Sequence, residues 1–317
     1  MNSQTPNARI QGLVAAPFTP FDRQGQLALE VIPAYARWLQ QQGVVGAFVV
    51  GTTGEGLSLT IGERKRLAEA WAAAVSPGFR LIVHVGHTCL ADCQDLAAHA
   101  QQVGAGAIGS MAPCFFRPAT VDVLVSWCEA IAAAAPRLPF YFYHLPSLTG
   151  VDLPMTEFLT QARTRIPNLA GIKYTHDNLD EFAQLLAAAG PDYDVLFGRD
   201  QMLLQALRRG AMSAIGSTYN FAAPLYQELI QAYRQGHTER AETLQRLACQ
   251  MIEASQNCGA GELPGLKQTM SLWAIPCGPV RPPLQNLTAE HVARLQQALQ
   301  AIGLSDGYPA AAASATE

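Results

Sequence analysis

One lysine in this chain occupies a position where its amine could act as a nucleophile. The sequence has only three lysines beside eighteen arginines. Lys65 lies in a charged helical segment typical of a surface, and Lys267 lies in a late helical segment. Lys173 ends an apolar run, residues 169–175, which is typical of a buried strand, and there an ammonium group loses hydration and its pKa falls. A lysine with a lowered pKa forms Schiff bases with carbonyl compounds, although it could instead pair with a core carboxylate.

A glycine-rich segment could bind a small anion. Residues 51–56 read Gly-Thr-Thr-Gly-Glu-Gly, in which the glycines permit close backbone approach and Thr52 and Thr53 supply hydroxyls beside free backbone amides. Several donors of this kind can hold a carboxylate together. An ordinary glycine-rich turn is the alternative for this segment.

A tyrosine at the end of another apolar run could transfer protons. Residues 140–146 read Phe-Tyr-Phe-Tyr-His-Leu-Pro, and because the side chains of a strand alternate between its faces, Tyr141 and Tyr143 share one side. Tyr143 is nearer the C-terminal end of the strand, where its hydroxyl could relay protons. The alternative is a tyrosine that is packed in the core.

These three features together are consistent with chemistry on a 2-oxo acid. A carboxylate clamp would orient the acid group, an amine would attack the keto carbon, and a phenol would move protons. The protonated imine would accept electrons and stabilise a carbanion as an enamine. This combination requires no metal ion and no organic cofactor.

Eight short apolar runs alternate with segments of helical periodicity, and these are the elements that must position the three features. Eight such units predict parallel strands with helical crossovers and a closed (β/α)₈ TIM barrel, whose chemistry lies at the C-terminal ends of the strands. A doubly wound open sheet is the alternative. The predicted strands are residues 12–18, 44–50, 80–86, 106–112, 139–144, 169–174, 193–197 and 212–216.

The chain stays helical after the eighth strand, which is more helix than one barrel unit needs. We therefore predict three regions: a barrel core with the catalytic site at residues 10–223, the last barrel helix and a C-terminal helical extension at 224–302, and a disordered tail at 303–317. The predicted helices include residues 28–42, 61–75, 90–103, 121–134, 224–235, 238–256, 262–273 and 288–302.

Composition and charge argue against several classes of function. The net charge of −4 provides no basic surface for nucleic acid. No apolar stretch reaches the length of a membrane span, and the first residues lack the pattern of a signal peptide. Seven scattered cysteines indicate reduced thiols, so we expect a cytoplasmic protein. Charged residues make up only 15% of the chain, which indicates that other subunits cover some of its surface.

Two motifs suggest other ligands, but their context does not favour either one. Residues 104–109 match the dinucleotide pattern Gly-x-Gly-x-x-Gly, yet they follow a predicted helix and lead into a strand, the reverse of the arrangement that binds a pyrophosphate. Cys89 and Cys93 follow His84 and His87, but these residues lack zinc-like spacing. A turn after a helix and small buried thiols are the better interpretations, so we predict no metal site.

The loop Gly-Thr-Thr-Gly-Glu, the strand that ends in Tyr143-His-Leu-Pro, and the segment Gly-Ile-Lys173 together resemble the pyruvate-dependent class I aldolases. That family includes N-acetylneuraminate lyase and dihydrodipicolinate synthase, and the resemblance extends from about residue 12 to about residue 297. It implies a (β/α)₈ barrel with a C-terminal helical region, usually in a homotetramer. It also implies that Tyr143 and Lys173 are catalytic and that Thr52 and Thr53 hold the pyruvate carboxylate.

Two positions argue against the synthase branch of this family. That branch has an arginine that grips the carboxylate of the second substrate where this chain has Leu148, which cannot bind an anion. The synthases also use a tyrosine from a neighbouring subunit near the position of Phe115 or Phe116, and a phenylalanine cannot relay protons. The lyase branch is therefore the better match.

Resemblance to the lyase branch implies a site for a sugar chain. Thr175, Gly198, Asp200 and Ser217 would line that site, although Asp200 could at the same time cap the next helix. The lyases usually carry a glutamate directly after this aspartate, and this chain has Gln201 instead. Glutamine can bind hydroxyls but lacks a charge-assisted acceptor, so the identity of the sugar is open.

The implied reaction is the cleavage of N-acetylneuraminate, a sialic acid, to N-acetylmannosamine and pyruvate through a Schiff base. One alternative is an aldolase or dehydratase that acts on another 2-keto-3-deoxy sugar acid. The other is a non-enzymatic sensor of pyruvate or a sugar acid. The expected partners are these small molecules, with no nucleic acid and no membrane.

Overall fold

The computed structural model describes residues 9–308, and within them eight parallel strands form one closed barrel. Each strand pairs with the next one in the chain, and β8 closes the barrel by pairing with β1. This arrangement confirms the predicted (β/α)₈ TIM barrel over the open-sheet alternative. The strands are β1 (Gly12–Ala15), β2 (Gly46–Val49), β3 (Arg80–His84), β4 (Ala107–Met111), β5 (Phe140–His144), β6 (Leu169–Tyr174), β7 (Asp194–Phe197) and β8 (Ser213–Gly216).

Helices surround the barrel and bury their apolar faces against it. In the first helix, Ile32, Tyr35, Ala36 and Leu39 recur every three or four residues and form one buried stripe. None of the described helices combines the length and the apolarity needed to cross a membrane. The helices are α1 (Ile32–Gln41), α2 (Ile61–Ala74), α3 (Leu90–Gln102), α4 (Val121–Ala132), α5 (Pro146–Thr149), α6 (Met155–Arg165), α7 (Leu179–Ala189), α8 (Leu203–Arg208), α9 (Ala223–Arg234), α10 (Thr238–Gln256), α11 (Glu262–Trp273) and α12 (Ala289–Ala301).

Side chains at the helix N-termini determine where several of these helices begin. The Thr60 side chain accepts a hydrogen bond from the Glu63 amide, and the Glu63 carboxylate accepts one from the Thr60 amide, so two backbone donors at the start of α2 are satisfied. Thr120 and Asn178 are the N-cap residues of α4 and α7, and the side chain of each accepts a hydrogen bond from the amide three residues later. These caps fix the ends of the loops that follow β2, β4 and β6 at the rim of the barrel.

The barrel interior contains its own group of side chains, separate from those beneath the helices. On β6, Ile172 and Tyr174 pack outward under the helices, so Lys173 between them faces the interior. Tyr143 faces inward as well, and it lies beside Lys173 in the pairing of β5 with β6. The inward residues of the strands also include Val14, Phe48, Ile82, Tyr141, Leu196 and Ile215.

The C-terminal helical region packs against the barrel near the C-terminal ends of the strands. The helix α10 contacts both α9 and α11. Gln245 of α10 accepts a hydrogen bond from the Leu204 amide at 2.8 Å and donates one to the Asp200 carbonyl at 3.1 Å. These contacts tie the region to the segment after β7. The division of the chain at residues 223 and 302 stays a prediction.

The first residues of the segment that was predicted to be a disordered tail contact the rest of the protein. Leu304 is buried, the Trp273 indole donates a hydrogen bond to the Ser305 carbonyl at 3.3 Å, and the Tyr308 hydroxyl bonds to Glu228. The reason is that Leu304 supplies an apolar side chain directly after α12, which holds the following residues against the protein. The remainder of the expected tail, residues 309–317, lies outside the described residues.

Candidate active site

A cavity of about 470 Å³ opens at the C-terminal ends of the barrel strands, and we call it the site cavity. This rim is where residues from several strands of a (β/α)₈ barrel converge, and the volume suits a small molecule. All nine residues that were predicted to form the site are found in the lining of this cavity, although their roles stay predictions. They are Thr52, Thr53, Tyr143, Lys173, Thr175, Gly198, Asp200, Gln201 and Ser217.

Lys173 lies near the end of β6 with its amine among aromatic rings. The residue is 4% exposed, and Nζ lies 3.9 Å from the centre of the Tyr143 ring and 4.2 Å from that of Phe48. Burial lowers the pKa of the amine to about 7, although the charge of Asp200 raises it. Within residues 9–308 Lys173 forms no ion pair, so the alternative of a lysine paired with a core carboxylate does not hold. A large fraction of the amine is therefore neutral at pH 7 and able to act as a nucleophile.

The Tyr143 hydroxyl lies beside Thr52 of the loop after β2. Thr52 Oγ1 is 3.3 Å from the Tyr143 hydroxyl oxygen. Burial raises the pKa of Tyr143 to about 12, against the effect of this hydrogen bond, so the phenol stays protonated near neutral pH. The buried Thr175 hydroxyl has no hydrogen-bond partner among the described residues, but it lies close enough to Tyr143 to oppose the rise in that pKa. This group of hydroxyls is suited to proton transfer.

The loop of residues 50–56, which we call the carboxylate loop, brings hydroxyls and backbone amides to the cavity. Thr53 Oγ1 lies 2.6 Å from Ser217 Oγ, which joins this loop to the turn after β8. Over residues 9–308, no hydrogen bond is donated by the amides of Thr52 and Thr53, and both residues line the site cavity. Hydroxyls and amides placed together in this way can hold the carboxylate of a small acid.

Asp200 is held in place by the turn that follows β8. Its Oδ2 atom accepts hydrogen bonds from the Thr218 amide at 2.9 Å and from the Thr218 hydroxyl at 2.6 Å. Burial raises the pKa of this carboxyl to about 6, although both hydrogen bonds lower it. The alternative role of Asp200 as a helix cap is not observed, since no side-chain cap begins α8 and the carboxylate points toward β8 instead.

Two glycines are needed because polar side chains occupy the space beside them. A Cβ atom on Gly198 would lie 1.9 Å from Thr175 Oγ1, and a Cβ atom on Gly216 would lie 2.0 Å from Asp200 Oδ1. Neither distance is compatible with a larger residue. Gly198 therefore contributes to the site by its lack of a side chain, and so does Gly216, which was not among the nine predicted site residues.

The C-terminal helical region closes one side of the site cavity, which the sequence analysis also did not predict. Ile252 of α10 and Glu262, Leu263 and Leu266 of α11 line the cavity together with Leu284. The periodicity of these helices shows that each has an apolar face, but it does not show which surface that face covers. No local signal in the sequence would have placed these residues at the site.

The two motifs that could suggest other ligands have structural roles instead. Gly104, with a φ of 78°, lies in the turn between α3 and β4, as expected for a helix end that leads into a strand. Cys93 is buried, and its thiol bonds to the backbone of His87. In the part of the chain that the structure describes, no three metal-binding side chains come together.

Comparisons with known proteins agree on one family. Residues 9–302 match the dihydrodipicolinate synthetase family. N-acetylneuraminate lyase of Rattus norvegicus is 39% identical over 312 residues, which cover 95% of this chain and 97% of the rat protein. The structure of N-acetylneuraminate lyase from Proteus mirabilis superposes with a TM-score of 0.90 at 39% identity, covering 93% of this chain and 99% of that one. The lyase of Aliivibrio salmonicida, described as a sialic acid aldolase, gives a TM-score of 0.89 at 39% identity and covers 93% and 97%.

Proposed function

Because this chain belongs to the dihydrodipicolinate synthetase family, we propose that it is a class I aldolase that cleaves N-acetylneuraminate to N-acetylmannosamine and pyruvate. The observation that carries this proposal is the buried amine of Lys173, which has a pKa of about 7 and lies over the Tyr143 ring in the site cavity. The names of the similar proteins, N-acetylneuraminate lyases from the rat and from Proteus mirabilis, support the choice of substrate.

The reaction begins on the open-chain form of the sugar acid, in which C2 is a ketone. Thr52 and Thr53 bind the C1 carboxylate, so that C2 lies next to Lys173 Nζ. The neutral amine attacks C2, and the loss of water gives a protonated imine. The lowered pKa of Lys173 matters here because a protonated lysine has no lone pair with which to attack.

The protonated imine then accepts the electrons of the C3–C4 bond. C3 becomes part of an enamine, C4 becomes the aldehyde carbon of N-acetylmannosamine, and the C4 hydroxyl gives its proton to Tyr143. Because Tyr143 is itself protonated, it passes its own proton to the substrate carboxylate, which is held beside Thr52. That proton returns to C3, and water hydrolyses the resulting imine to pyruvate and free Lys173.

The sugar chain is proposed to lie along Thr175, Gly198, Asp200, Gln201 and Ser217. Thr218 occupies only one oxygen of Asp200, so the other can accept a hydrogen bond from a sugar hydroxyl. Gln201 offers a neutral amide at a position where a carboxylate would bind hydroxyls more strongly. This residue favours a second candidate substrate, another 2-keto-3-deoxy sugar acid with a different tail.

An assay for pyruvate release from N-acetylneuraminate tests the proposal. We expect equal amounts of pyruvate and N-acetylmannosamine, with faster release from N-acetylneuraminate than from other 2-keto-3-deoxy sugar acids. Faster cleavage of one of those other acids would support the second candidate. Binding of the sugar acid without any release of pyruvate would contradict the enzymatic function and favour a sensor.

The pH dependence of Schiff-base formation should follow the lowered pKa of Lys173. The amine is neutral above a pH of about 7, so the rate of trapping with pyruvate and cyanoborohydride should be level there. Below pH 6 the rate should fall about tenfold per pH unit as the amine becomes protonated. Mass spectrometry of the reduced protein at a series of pH values measures this rate. A rate that still rises tenfold per unit up to pH 10 would show that the amine is not desolvated.

We also infer that the protein forms a homotetramer in the cytoplasm. Phe115 and Phe116 are 77% and 85% exposed and contact each other, and exposed apolar rings of this kind are typical of subunit interfaces. All seven cysteines are free, as expected in a reducing compartment. Light scattering in solution should give four times the mass of the chain, and the mass of a monomer would contradict the assembly.

A further inference from the structure

A buried ion pair joins the carboxylate loop to the C-terminal helical region. Lys267 Nζ donates a hydrogen bond to Glu55 Oε1 at 2.8 Å, and each side chain is only 1% exposed. Glu55 lies two residues after Thr53, whereas Lys267 lies on α11, 212 residues further along the chain. The proposed reaction uses neither of these charged groups, so the pair needs another explanation.

Further hydrogen bonds fix both members of the pair. Glu55 Oε2 accepts a hydrogen bond from the Arg281 amide at 2.8 Å, and Lys267 Nζ donates a second one to the Pro279 carbonyl at 2.7 Å. Lys267 Nζ also lies 4.3 Å from the centre of the Phe21 ring. Because two different segments bind the two oxygens of Glu55, the position and the direction of its carboxylate are both determined.

The carboxylate loop has a backbone conformation that needs such support. Val50 and Glu55 have φ values of 52° and 54°, in the left-handed region that L residues rarely adopt and β-branched residues least of all. His84 Nδ1 lies 3.2 Å from the Val50 carbonyl and donates to it, so a buried group holds each end of the loop. Strained backbone of this kind persists where the surrounding structure fixes it, and it is concentrated at ligand sites.

Stability alone does not account for this pair. The removal of two charges from water costs about as much as their attraction gives, and apolar side chains of similar volume often stabilise a core equally well. Burial lowers the pKa of Lys267 and the neighbouring Glu55 raises it, so the charge on the amine depends on the carboxylate. The geometry that the pair imposes on the loop is therefore the better explanation for its presence.

We propose that Glu55 and Lys267 are positioning residues that hold the carboxylate loop so that Thr52 and Thr53 meet the carboxylate of pyruvate. This inference rests on the proposed function and makes the C-terminal helical region part of the catalytic unit. Glu55 lies at an adjoining cavity that shares Thr52 with the site cavity, but its side chain is almost fully buried. Lys267 and the Arg281 amide bind both of its carboxylate oxygens, so it acts through the loop and not on the substrate.

Displacement of the carboxylate loop would break two contacts at the site. Thr52 would move away from the Tyr143 hydroxyl, and Thr53 would move away from Ser217. Both threonines bind the acid group, whereas the Lys173 amine lies on β6 and stays in place. Loss of the ion pair should therefore weaken the binding of pyruvate more than it slows Schiff-base formation at saturation.

The substitutions Glu55→Gln and Lys267→Met test this, since each keeps the volume of the side chain while removing its charge. The quantity to measure is the pyruvate concentration that gives half-maximal borohydride trapping on Lys173 in folded protein. We expect this concentration to rise by about tenfold to 10²-fold in each variant, which is the scale of a displacement of about 1 Å at a site. At saturating pyruvate, the extent of trapping should match that of the unaltered protein.

Glu63→Gln is a matched control for Glu55→Gln. Glu63 also binds Arg281, through the guanidinium at 2.6 and 2.9 Å, but it lies outside the carboxylate loop. A glutamine at this position can still accept the hydrogen bond from the Thr60 amide, so the cap of α2 that ends the loop after β2 is kept. Its replacement should lower the melting temperature and leave the pyruvate concentration for half-maximal trapping unchanged. An equal rise in that concentration for Glu63→Gln would show that any loss of stability in this region weakens binding, and it would overturn the positioning role.

The double variant E55Q/K267M separates the effect on loop position from the effect on stability. It also provides the test if the single variants do not fold. With no buried charge left unpaired, it should melt at a higher temperature than either single variant. It should still need the raised pyruvate concentration for half-maximal trapping on Lys173. Half-maximal trapping at the unaltered concentration would overturn the proposal.

If the unaltered protein traps pyruvate on Lys173 but leaves N-acetylneuraminate intact, only the proposed substrate fails. If it traps no pyruvate at all, both proposals fail.

Discussion

Replacement of Lys173 with methionine should lower the rate of cleavage by roughly 10⁴- to 10⁶-fold, the scale seen when an enzyme loses its covalent nucleophile. Methionine has a similar length and no amine, so neither an imine nor an enamine can form. The side chain lies between the rings of Phe48 and Tyr143, where an apolar group is well accommodated, so the melting temperature should not fall. Pyruvate release and thermal unfolding, measured on the same preparation, separate lost chemistry from lost folding.

The other lysines provide controls for this experiment. Lys65→Met breaks an exposed ion pair with Asp95 and should leave cleavage unchanged. In the unaltered protein, borohydride with pyruvate should modify Lys173 and neither Lys65 nor Lys267. An adduct on Lys267, or full activity in Lys173→Met, would contradict the proposed mechanism.

Replacement of Tyr143 with phenylalanine should lower kcat by about 10²- to 10⁴-fold, the range for the loss of one proton-transferring group. The substitution keeps the ring that packs against Lys173 and removes only the hydroxyl that contacts Thr52. Trapping of pyruvate on Lys173 at saturation should continue, because the nucleophile is intact. A kcat within tenfold of the unaltered value would show that the C4 proton leaves by another route.

Tyr141→Phe is the matched control, because Tyr141 is two residues earlier on the same face of β5. Its hydroxyl donates a hydrogen bond to Asp194 Oδ2 at 2.8 Å. Neither Tyr141 nor Asp194 is among the described residues that line the site cavity. Loss of this bond should cost on the order of 1–3 kcal/mol in the free energy of unfolding and leave kcat unchanged. A large loss of kcat in Tyr141→Phe would indicate that the barrel interior, and not the Tyr143 hydroxyl, controls the rate.

The residues that the sequence predicted most directly are those at strand ends. Lys173 and Tyr143 each end an apolar run, and the ends of parallel strands meet at one rim, so local patterns were enough to bring these residues together. The pairing of Tyr143 with Lys173 in the register of β5 and β6 follows from the same rule. Thr52 could be predicted for a similar reason, because its loop begins where β2 ends.

Other features depend on contacts between distant segments and could not be predicted locally. Lys267 looked like an ordinary helical lysine, and its burial depends on Glu55, which is 212 residues earlier in the chain. Asp200 was a plausible helix cap by position, and only the turn after β8 shows that its carboxylate binds Thr218. Leu304 fell in a segment of small and polar residues, yet one apolar side chain was enough to hold it against the protein.

The separation between Glu55 and Lys267 has a consequence for synthesis of the protein. At about 5–20 residues per second, a ribosome adds Lys267 roughly 10–40 seconds after Glu55. Late in that interval, once Gly216 has been added, the nascent chain contains all eight strands, but the glutamate still lacks Lys267 beside it. A chain that stops translation after β8 would therefore lack the finished loop, however much of its barrel had already formed.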